Sequence, residues 1–343
     1  MSGVLPVWSV QPFGVATTFV ESLTSYVRRV ASRMLIPAPR LIAAVSGITQ
    51  AQHYTETING TELASARITA ALAQWSGVVE LEMLSFAPFR SGLHLRKDFR
   101  RDRAWCPICL AGDPDLAYDQ LVSGFHRSRR CIVHGADLQT KCPACGRTHR
   151  PFALWSEPTR CHHCGAQLGD GHVQRNDLDP ETAAVASIVE WTQQGQQVQP
   201  LRIAGAMRLL RAAATLGKMA DHLGLTFSTV QNVEAGGQRL QMDTLVRILT
   251  RSGSTIAELH SPDPVIPPTP RTARTSVIPR VDVERLREGA RHELQLPLSE
   301  RRSIARLAED LEVSRITFLR HVPEAATLAR ERRASRPLST RPA

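Results

Sequence analysis

Every cysteine of the chain lies between residues 106 and 164, in a ladder of short spacings: Cys106-Pro-Ile-Cys109, Cys131-Ile-Val-His134, Cys142-Pro-Ala-Cys145 and Cys161-His-His-Cys164. Two intervening residues let the second ligand fold back beside the first, so each pair supplies half of a tetrahedral Zn²⁺ shell. Four half-sites make two sites, and seven cysteines with one histidine supply the eight ligands. The last two pairs, separated by residues 146–160, match the Cys-x₂-Cys…Cys-x₂-Cys zinc template, while the first two flank a longer insert and end in His134. The expectation is one Cys₃His and one Cys₄ site, holding two structural Zn²⁺ ions per chain. A disulfide framework is the alternative, and an odd number of cysteines argues against it. Spacing leaves the pairing open: sequential pairing joins the first pair to the second, whereas interleaved, cross-braced pairing joins Cys106 and Cys109 to Cys142 and Cys145. His149, His162 and His163 are surplus to eight ligands and read as loop or nucleic-acid-facing residues.

The segments "WCPICL" (105–110), "CIVHGADL" (131–138), "CPACG" (142–146) and "CHHCGAQL" (161–168) resemble the TniQ family of transposition target-selection proteins, as does "TTFVESLTSYVRRVA" (17–31). The resemblance covers roughly residues 15–170. Ile132 stands where that family usually has proline, and residues 118–130 lack the tryptophan expected before the third cysteine; all eight ligands remain. The resemblance implies a targeting adaptor that connects a target-recognition device to an AAA+ ATPase regulator, which recruits the transposase. It also implies that some members read DNA directly and others ride on a CRISPR effector complex.

An enzyme fits the residues least. Catalytic zinc needs an open coordination position and usually a carboxylate base, and eight ligands for two ions leave no vacancy. The chain has no His-x-Glu ahead of Pro-Cys-x-x-Cys, no histidine at metalloprotease spacing after His292-Glu293, and no Walker loop, so an ATPase must be a partner. The expectation is a protein without catalytic residues.

The elements around the ladder read as mainly α, with small β zinc ribbons, in several domains. A length of 343 residues suits two to four domains, and a net charge of +10 points toward polyanions such as double-stranded DNA. No apolar run approaches the roughly eighteen residues of a membrane span, so the expectation is a cytoplasmic protein with no membrane partner. Residues 1–16 read as an extended arm whose Trp8 and Phe13 dock on the domain or on a partner. Residues 17–100 read as a helical, helix-turn-helix-like domain or a plain bundle supporting the zinc module. Its first helix carries Leu23, Tyr26, Val27, Val30, Ala31 and Met34 at three-four spacing, with Arg28, Arg29 and Arg33 on other faces. Residues 101–170 form the tandem zinc-ribbon domain. Basic clusters flank it, Arg90, Arg96, Lys97, Arg100, Arg101 and Arg103 on one side and His126, Arg127, Arg129 and Arg130 before Cys131, placed to meet phosphates, an acidic protein face or only solvent.

After a boundary at 169–180, residues 181–260 contain "MADHLGLTFSTVQNVEAG" (219–236), which resembles a repressor-type helix-turn-helix. Gly224 suits the left-handed turn, Thr226 an N-cap, and Val230 and Val233 face inward. Ser228, Gln231, Asn232 and, beyond the helix, Arg239 are the candidate DNA contacts. A proline-rich linker at 261–280 precedes a further helix-turn-helix at 281–330, with Ser299 and Ser314 as N-caps and Arg315, Thr317 and Arg320 as outward candidates, then a basic tail at 331–343. From Arg271 onward sixteen basic side chains face ten acidic ones. The expected function is a transposon target-site selection adaptor that binds DNA, directly or through a targeting complex, and recruits the ATPase and transposase. The alternative is a zinc-containing helix-turn-helix transcriptional regulator.

Overall fold

The computed structural model describes residues 10–48, 58–95, 98–152, 157–212, 214–261, 283–297 and 300–311, with 313, 318, 322 and 324. Trp8, Arg315, Thr317 and Arg320 lie outside the described residues, as do Arg96, Lys97, Ser299, Ser314, nearly all of the 261–280 linker and the 331–343 tail. The chain forms two compact units, Met1–Pro270 and Arg271–Ala343.

Helix α1 (Leu23–Arg33) begins where the Ser22 hydroxyl accepts a hydrogen bond from the Ser25 N–H, satisfying one of the free donors at a helix start. It buries the expected stripe of Leu23, Tyr26, Val27, Val30 and Ala31. Arg28 and Arg29, expected on other faces, are buried as well. The reason is tertiary: Asp119 meets Arg28, and Glu21 accepts from Arg29 Nε at 2.8 Å, so charge enters the core in pairs. Helix α2 (Ala38–Ser46) starts after Pro37 and stops at Gly47. Helix α3 (Leu63–Ser76) stops at Gly77, and short 3₁₀ turns at Val79–Leu84 and Ala87–Phe89 lead to strand β1 (Leu93–His94).

Among the described residues, the cysteine-rich segment contains only helix α4 (Pro107–Ala111), two 3₁₀ turns and single antiparallel bridges, among them Trp105 to Gln139, Lys141 to Thr148 and Arg160 to Gln167. The expected β ribbons are thus reduced to one-bridge hairpins, because each knuckle turns too tightly to propagate a ladder.

Beyond it, helices α5 (Pro180–Gln193), α6 (Pro200–Arg211), α7 (Leu216–Leu223), α8 (Phe227–Ala235), α9 (Met242–Ser252) and α10 (Ile256–His260) pack together. Strand β2 (Leu240–Gln241) pairs in parallel with β1, Leu93 opposite Leu240. One apolar core runs without a break from Val10 through Phe86 and Phe125 to Leu245 and Leu259. The polar stretch at 169–180 therefore crosses the surface of a shared core. Gly92 shows how close the approach is: a Cβ there would fall 1.7 Å from the Val198 carbonyl oxygen, so only glycine fits.

The second unit centres on Leu286, Ala290, Leu307, Ala308, Phe318 and Val322, between helices α11 (Val283–Gln295) and α12 (Ile304–Asp310). Its cap is Ser303, whose hydroxyl accepts from the Arg306 N–H. The helix starts this late because Arg302 is tied to the buried Glu293 through Nε at 3.0 Å and Nη2 at 2.7 Å.

Candidate metal centre

Three of the four half-sites share one local construction. In each, the first cysteine's carbonyl accepts from the glycine four residues on: Gly135 to Cys131 at 2.8 Å, Gly146 to Cys142 at 2.9 Å and Gly165 to Cys161 at 2.8 Å. Those glycines have φ of 64°, 70° and 74°, the left-handed region that a side chain disfavours. The first cysteine's N–H bonds onward, to Ala136, Arg147 or Ala166, and closes the loop. The first half-site differs. Pro107 follows Cys106 at the start of α4, and Cys109 is carried on that helix one turn later.

These loops bring the eight predicted ligands into two groups, Cys106, Cys109, Cys131 and His134, and Cys142, Cys145, Cys161 and Cys164, with all donor atoms of a group within 4.8 Å of one another. Pairing is therefore sequential. In the first group His134 Nδ1 lies 3.6, 3.3 and 3.7 Å from the sulfurs of Cys106, Cys109 and Cys131. In the second, Cys142 and Cys164 are 3.8 Å apart, and Cys145 and Cys161 3.7 Å. A tetrahedral ion with bonds of about 2.3 Å to sulfur needs sulfurs about 3.8 Å apart, so both donor sets fit Zn²⁺. A cation would also suit the first trio of thiols. Hydrogen bonding with Cys106 and Cys131 pushes the Cys109 thiol up, whereas Cys131, favoured by both neighbours, is pulled down. Without a cation the three thiols resist joint ionisation.

The site is held by a buried tryptophan. Trp105 exchanges backbone hydrogen bonds with Gln139, donates Nε1–H to the Leu168 carbonyl at 3.2 Å, and packs with Leu110, Cys142, Cys161 and Leu168. It touches the frame of both ligand groups. His149, surplus to the ligand count, is buried with Nδ1 3.1 Å from His162 Nδ1, and burial and His162 lower its pKa to about 4. It is a core histidine. The exposed loop character expected for all three surplus histidines holds for His163 alone.

Most of the flanking arginines are consumed internally. Arg100 donates to the Phe125 and Ser128 carbonyls. Arg103 makes a two-pronged pair with Asp119, at 2.7 and 2.9 Å. Arg127 bonds Asp243 and Glu181, both at 2.6 Å, and Arg130 pairs with Asp137. The expected cationic surfaces beside the knuckles shrink to residues such as Arg90, Arg101 and Arg129. Linear charge runs missed this because the partners of Arg100, Arg103 and Arg127 lie 16 to 116 residues along the chain, and only Asp137 is near its arginine.

Ser228, Gln231 and Asn232 are exposed together on α8, with Phe227 beside them, while Val230 and Val233 are buried. Thr226 caps α8, accepting from the Thr229 N–H, and Gly224 takes φ of 64° between α7 and α8. Glu234 bonds Arg211 at 2.8 Å and ties α8 to α6. Arg239 is exposed beyond α8 and donates to the Arg90 carbonyl at 3.4 Å. Phe13 is half-buried, stacked on Tyr118 with ring centroids 5.0 Å apart and the Arg29 guanidinium 4.1 Å above it. A partner contact through Phe13 competes with that stack.

A mainly helical frame carries two four-donor clusters that could each hold a metal ion. Residues 12–138 match the TniQ family, a family of transposition-associated proteins, so the chain carries a TniQ domain that ends just past the first ligand group. No curated protein matches the chain. Among the described residues no helix is long and apolar enough to cross a membrane.

Proposed function

We propose that the chain is a non-catalytic adaptor of transposition target selection, in which two structural Zn²⁺ ions fix the frame, the α7–α8 unit reads double-stranded DNA, and the N-terminal half engages an AAA+ ATPase regulator. The transposase is reached through that ATPase. A CRISPR effector complex is the targeting device in the RNA-guided version of this reading. The observation that carries the proposal is the TniQ match across residues 12–138, continuous in one core with a capped two-helix unit that exposes Ser228, Gln231 and Asn232. Four protein donors per group leave no open position for a substrate, which supports a structural role for the metal. Asn and Gln suit adenine edges, and Arg239 suits a phosphate.

The α7–α8 geometry also supports the second reading, a transcriptional regulator. One pair of experiments separates them. Retention of an AAA+ ATPase regulator of TniQ-type transposition by the full chain, in a purified pull-down, supports the adaptor, and its failure favours the regulator. Anisotropy with a selected duplex tests the DNA face: Gln231→Ala with Asn232→Ala should relax sequence preference, and Arg239→Ala should weaken all duplexes alike and lower the salt slope by about one. Binding unchanged in all these variants would reject α8 as the reader. The C-terminal unit, with Arg315, Thr317 and Arg320, is a second DNA contact in this proposal, testable by the same salt series on a chain ending at residue 262.

A further inference from the structure

We propose that the β1–β2 pair carries the DNA interface from α8 across to the TniQ domain, where Arg90, together with Arg239, holds a backbone phosphate of the same duplex. The inference rests on the reading of α8 as a DNA reader. It adds a DNA contact in the N-terminal half, to which that reading gave only a protein partner.

The two arginines are brought together by the short parallel pair. The Leu240 N–H donates to the Gly92 carbonyl at 2.9 Å and Leu93 lies opposite Leu240, so the loop leaving α8 is held beside the turn that enters β1. Arg239 spends one N–H on the Arg90 carbonyl at 3.4 Å, and both arginines are exposed. Among the described residues neither guanidinium has a carboxylate partner. The reason lies in the sequence around them: residues 83–95 and 235–242 contain no Asp or Glu. The acids at the two ends of the second stretch are already taken, Glu234 by Arg211 and Asp243 by Arg127 and Arg247. Here, unlike at the buried arginines of α1 and the knuckles, positive charge faces solvent uncompensated.

The surroundings match a sugar-phosphate strand. Beside Arg239 lies a pocket of about 140 Å³ with Thr229, Asn232, Gln238 and Gln241 as its polar wall. It is too small for an organic ligand of ordinary size, whose sites run from roughly 300 Å³ upward. The N–H groups of Gly237, Gln238 and Arg239 make no backbone hydrogen bond among the described residues, and the space around Gly237 is open. Guanidinium, amide, hydroxyl and backbone N–H donors are the groups that fix a phosphate backbone in register. Asn232 belongs both to this wall and to the exposed row of Ser228, Gln231 and Asn232 on α8. A duplex whose major groove takes that row therefore brings a flanking strand over the pocket and on toward Arg90. A protein partner is disfavoured, because the apolar side chains of the pocket, Val233 and Leu240, are buried and leave no surface for an anchor.

The test follows the anisotropy of a fluorescein-labelled duplex, selected for binding to the full zinc-loaded chain, across a salt series. Arg90→Ala should lower the salt slope by about one and weaken every duplex alike, by about eightfold near 0.1 M salt, and Arg90→Lys should keep the slope. Single methylphosphonates walked along each strand then remove one backbone charge at a time. At one position the neutral linkage should weaken binding to wild type and leave Arg90→Ala unaffected. Arg90 is exposed, so folding is kept, and matching thermal melts check it. The proposal is overturned if Arg90→Ala has the affinity and slope of wild type; the reading of α8 survives that result when Gln231→Ala with Asn232→Ala still relaxes sequence preference. It is overturned if Arg90→Ala weakens binding but no methylphosphonate position separates it from wild type, since the arginine then acts only through net charge. Displacement of the duplex by millimolar inorganic phosphate at constant ionic strength would mark a free-anion site and overturn it as well. If no duplex binds the full chain, the reading of α8 falls and this inference with it.

Discussion

Arg127, four residues before the third cysteine of the ladder, donates Nε–H to the Asp243 carboxylate at 2.6 Å, across 116 positions of sequence. The same guanidinium reaches Glu181, and Asp243 in turn bonds Arg247 and, through its backbone N–H, the Asp98 carboxylate at 3.0 Å. This is the polar seam that joins the metal-binding segment to α9. The seam is about three-quarters buried at Arg127 and Asp243, so its coupling exceeds that of a surface pair, on the order of 1–2 kcal/mol in a double-mutant cycle of Arg127→Ala with Asp243→Ala. Thermal melts of the four proteins measure it, and additivity within 0.3 kcal/mol, about the scatter for independent sites, would show that the seam does not couple.

The same shared core decides how DNA reading should be probed. A chain ending at residue 200 removes α6 to α10, which pack on α5 and pair Leu240 with Leu93, and so uncovers part of the shared core; loss of binding by that fragment reports unfolding. The expected result is a single cooperative transition for residues 10–261, with matching midpoints by tryptophan fluorescence and far-UV circular dichroism. Two separated transitions would show that the α5–α10 unit folds alone.

Metal removal should act site by site. Purified chain is expected to hold two Zn²⁺ ions, Cys106→Ser or Cys142→Ser one each, and the double variant none. Apparent binding energies of about 10–16 kcal/mol for structural zinc make each loss a folding defect localised to its own knuckles. Amide exchange should rise around residues 131–138 in the first variant and around 142–168 in the second. A stoichiometry of one ion or fewer for the intact, folded chain would refute the two-site assignment.

The two donor clusters were legible because ligand spacing is a local property: three knuckles need only a cysteine, a second donor three residues later and a glycine after it. The pairing was not, since Cys109 meets Cys131 through the insertion of residues 110–130 and no spacing rule encodes that path. The α7–α8 turn was legible for the same local reason, in Gly224 and Thr226. Arg28, Arg29, Arg100, Arg103 and Arg127 read as surface charge by helical period and charge run alone. Their partners Glu21, Asp119, Glu181 and Asp243, and the carbonyls that Arg100 meets, belong to other segments, so the burial of Arg28, Arg29 and Arg103 and the partial burial of Arg100 and Arg127 are tertiary facts. The β1–β2 pairing, of two residues each, was beneath any periodic signal.

Acid stability should depend on Asp119. Burial pushes its carboxyl up, but Arg103 and Arg28 together outweigh burial and hold it below the usual aspartate value. A lowered folded pKa means stability that is complete above the unfolded value of about 3.9 and is lost as pH falls through the folded one. Asp119→Asn leaves two buried guanidiniums without their anion, at a cost of about 3–5 kcal/mol near neutral pH. Between about pH 5 and pH 2 the variant's melting temperature should fall less steeply than that of the wild type. Parallel acid limbs for the two proteins would remove Asp119 from the account.

The three knuckle glycines are not equivalent, and their substitution by alanine should rank them. All three have positive φ, so each alanine variant carries the backbone penalty of roughly 1 kcal/mol. Around Gly146 and Gly165 a Cβ meets nothing within 4 Å, and the cost ends there. At Gly135 the added carbon would sit 2.0 Å from the Asn176 carbonyl oxygen, a backbone atom that is itself tied back by the Asn176 N–H to the Gly135 carbonyl at 3.2 Å. The His134–Gly135 turn must then shift, and His134 with it, since the imidazole is placed by this turn. Gly135→Ala should therefore weaken zinc at the first site by tenfold or more in competition with a chromophoric chelator and leave the second site as in wild type. Gly146→Ala and Gly165→Ala should lower the melting temperature slightly and keep both ions. Equal zinc affinities at the first site in wild type and Gly135→Ala would mean that residues 173–177 can move away freely, and that the contact with Asn176 does not position the histidine.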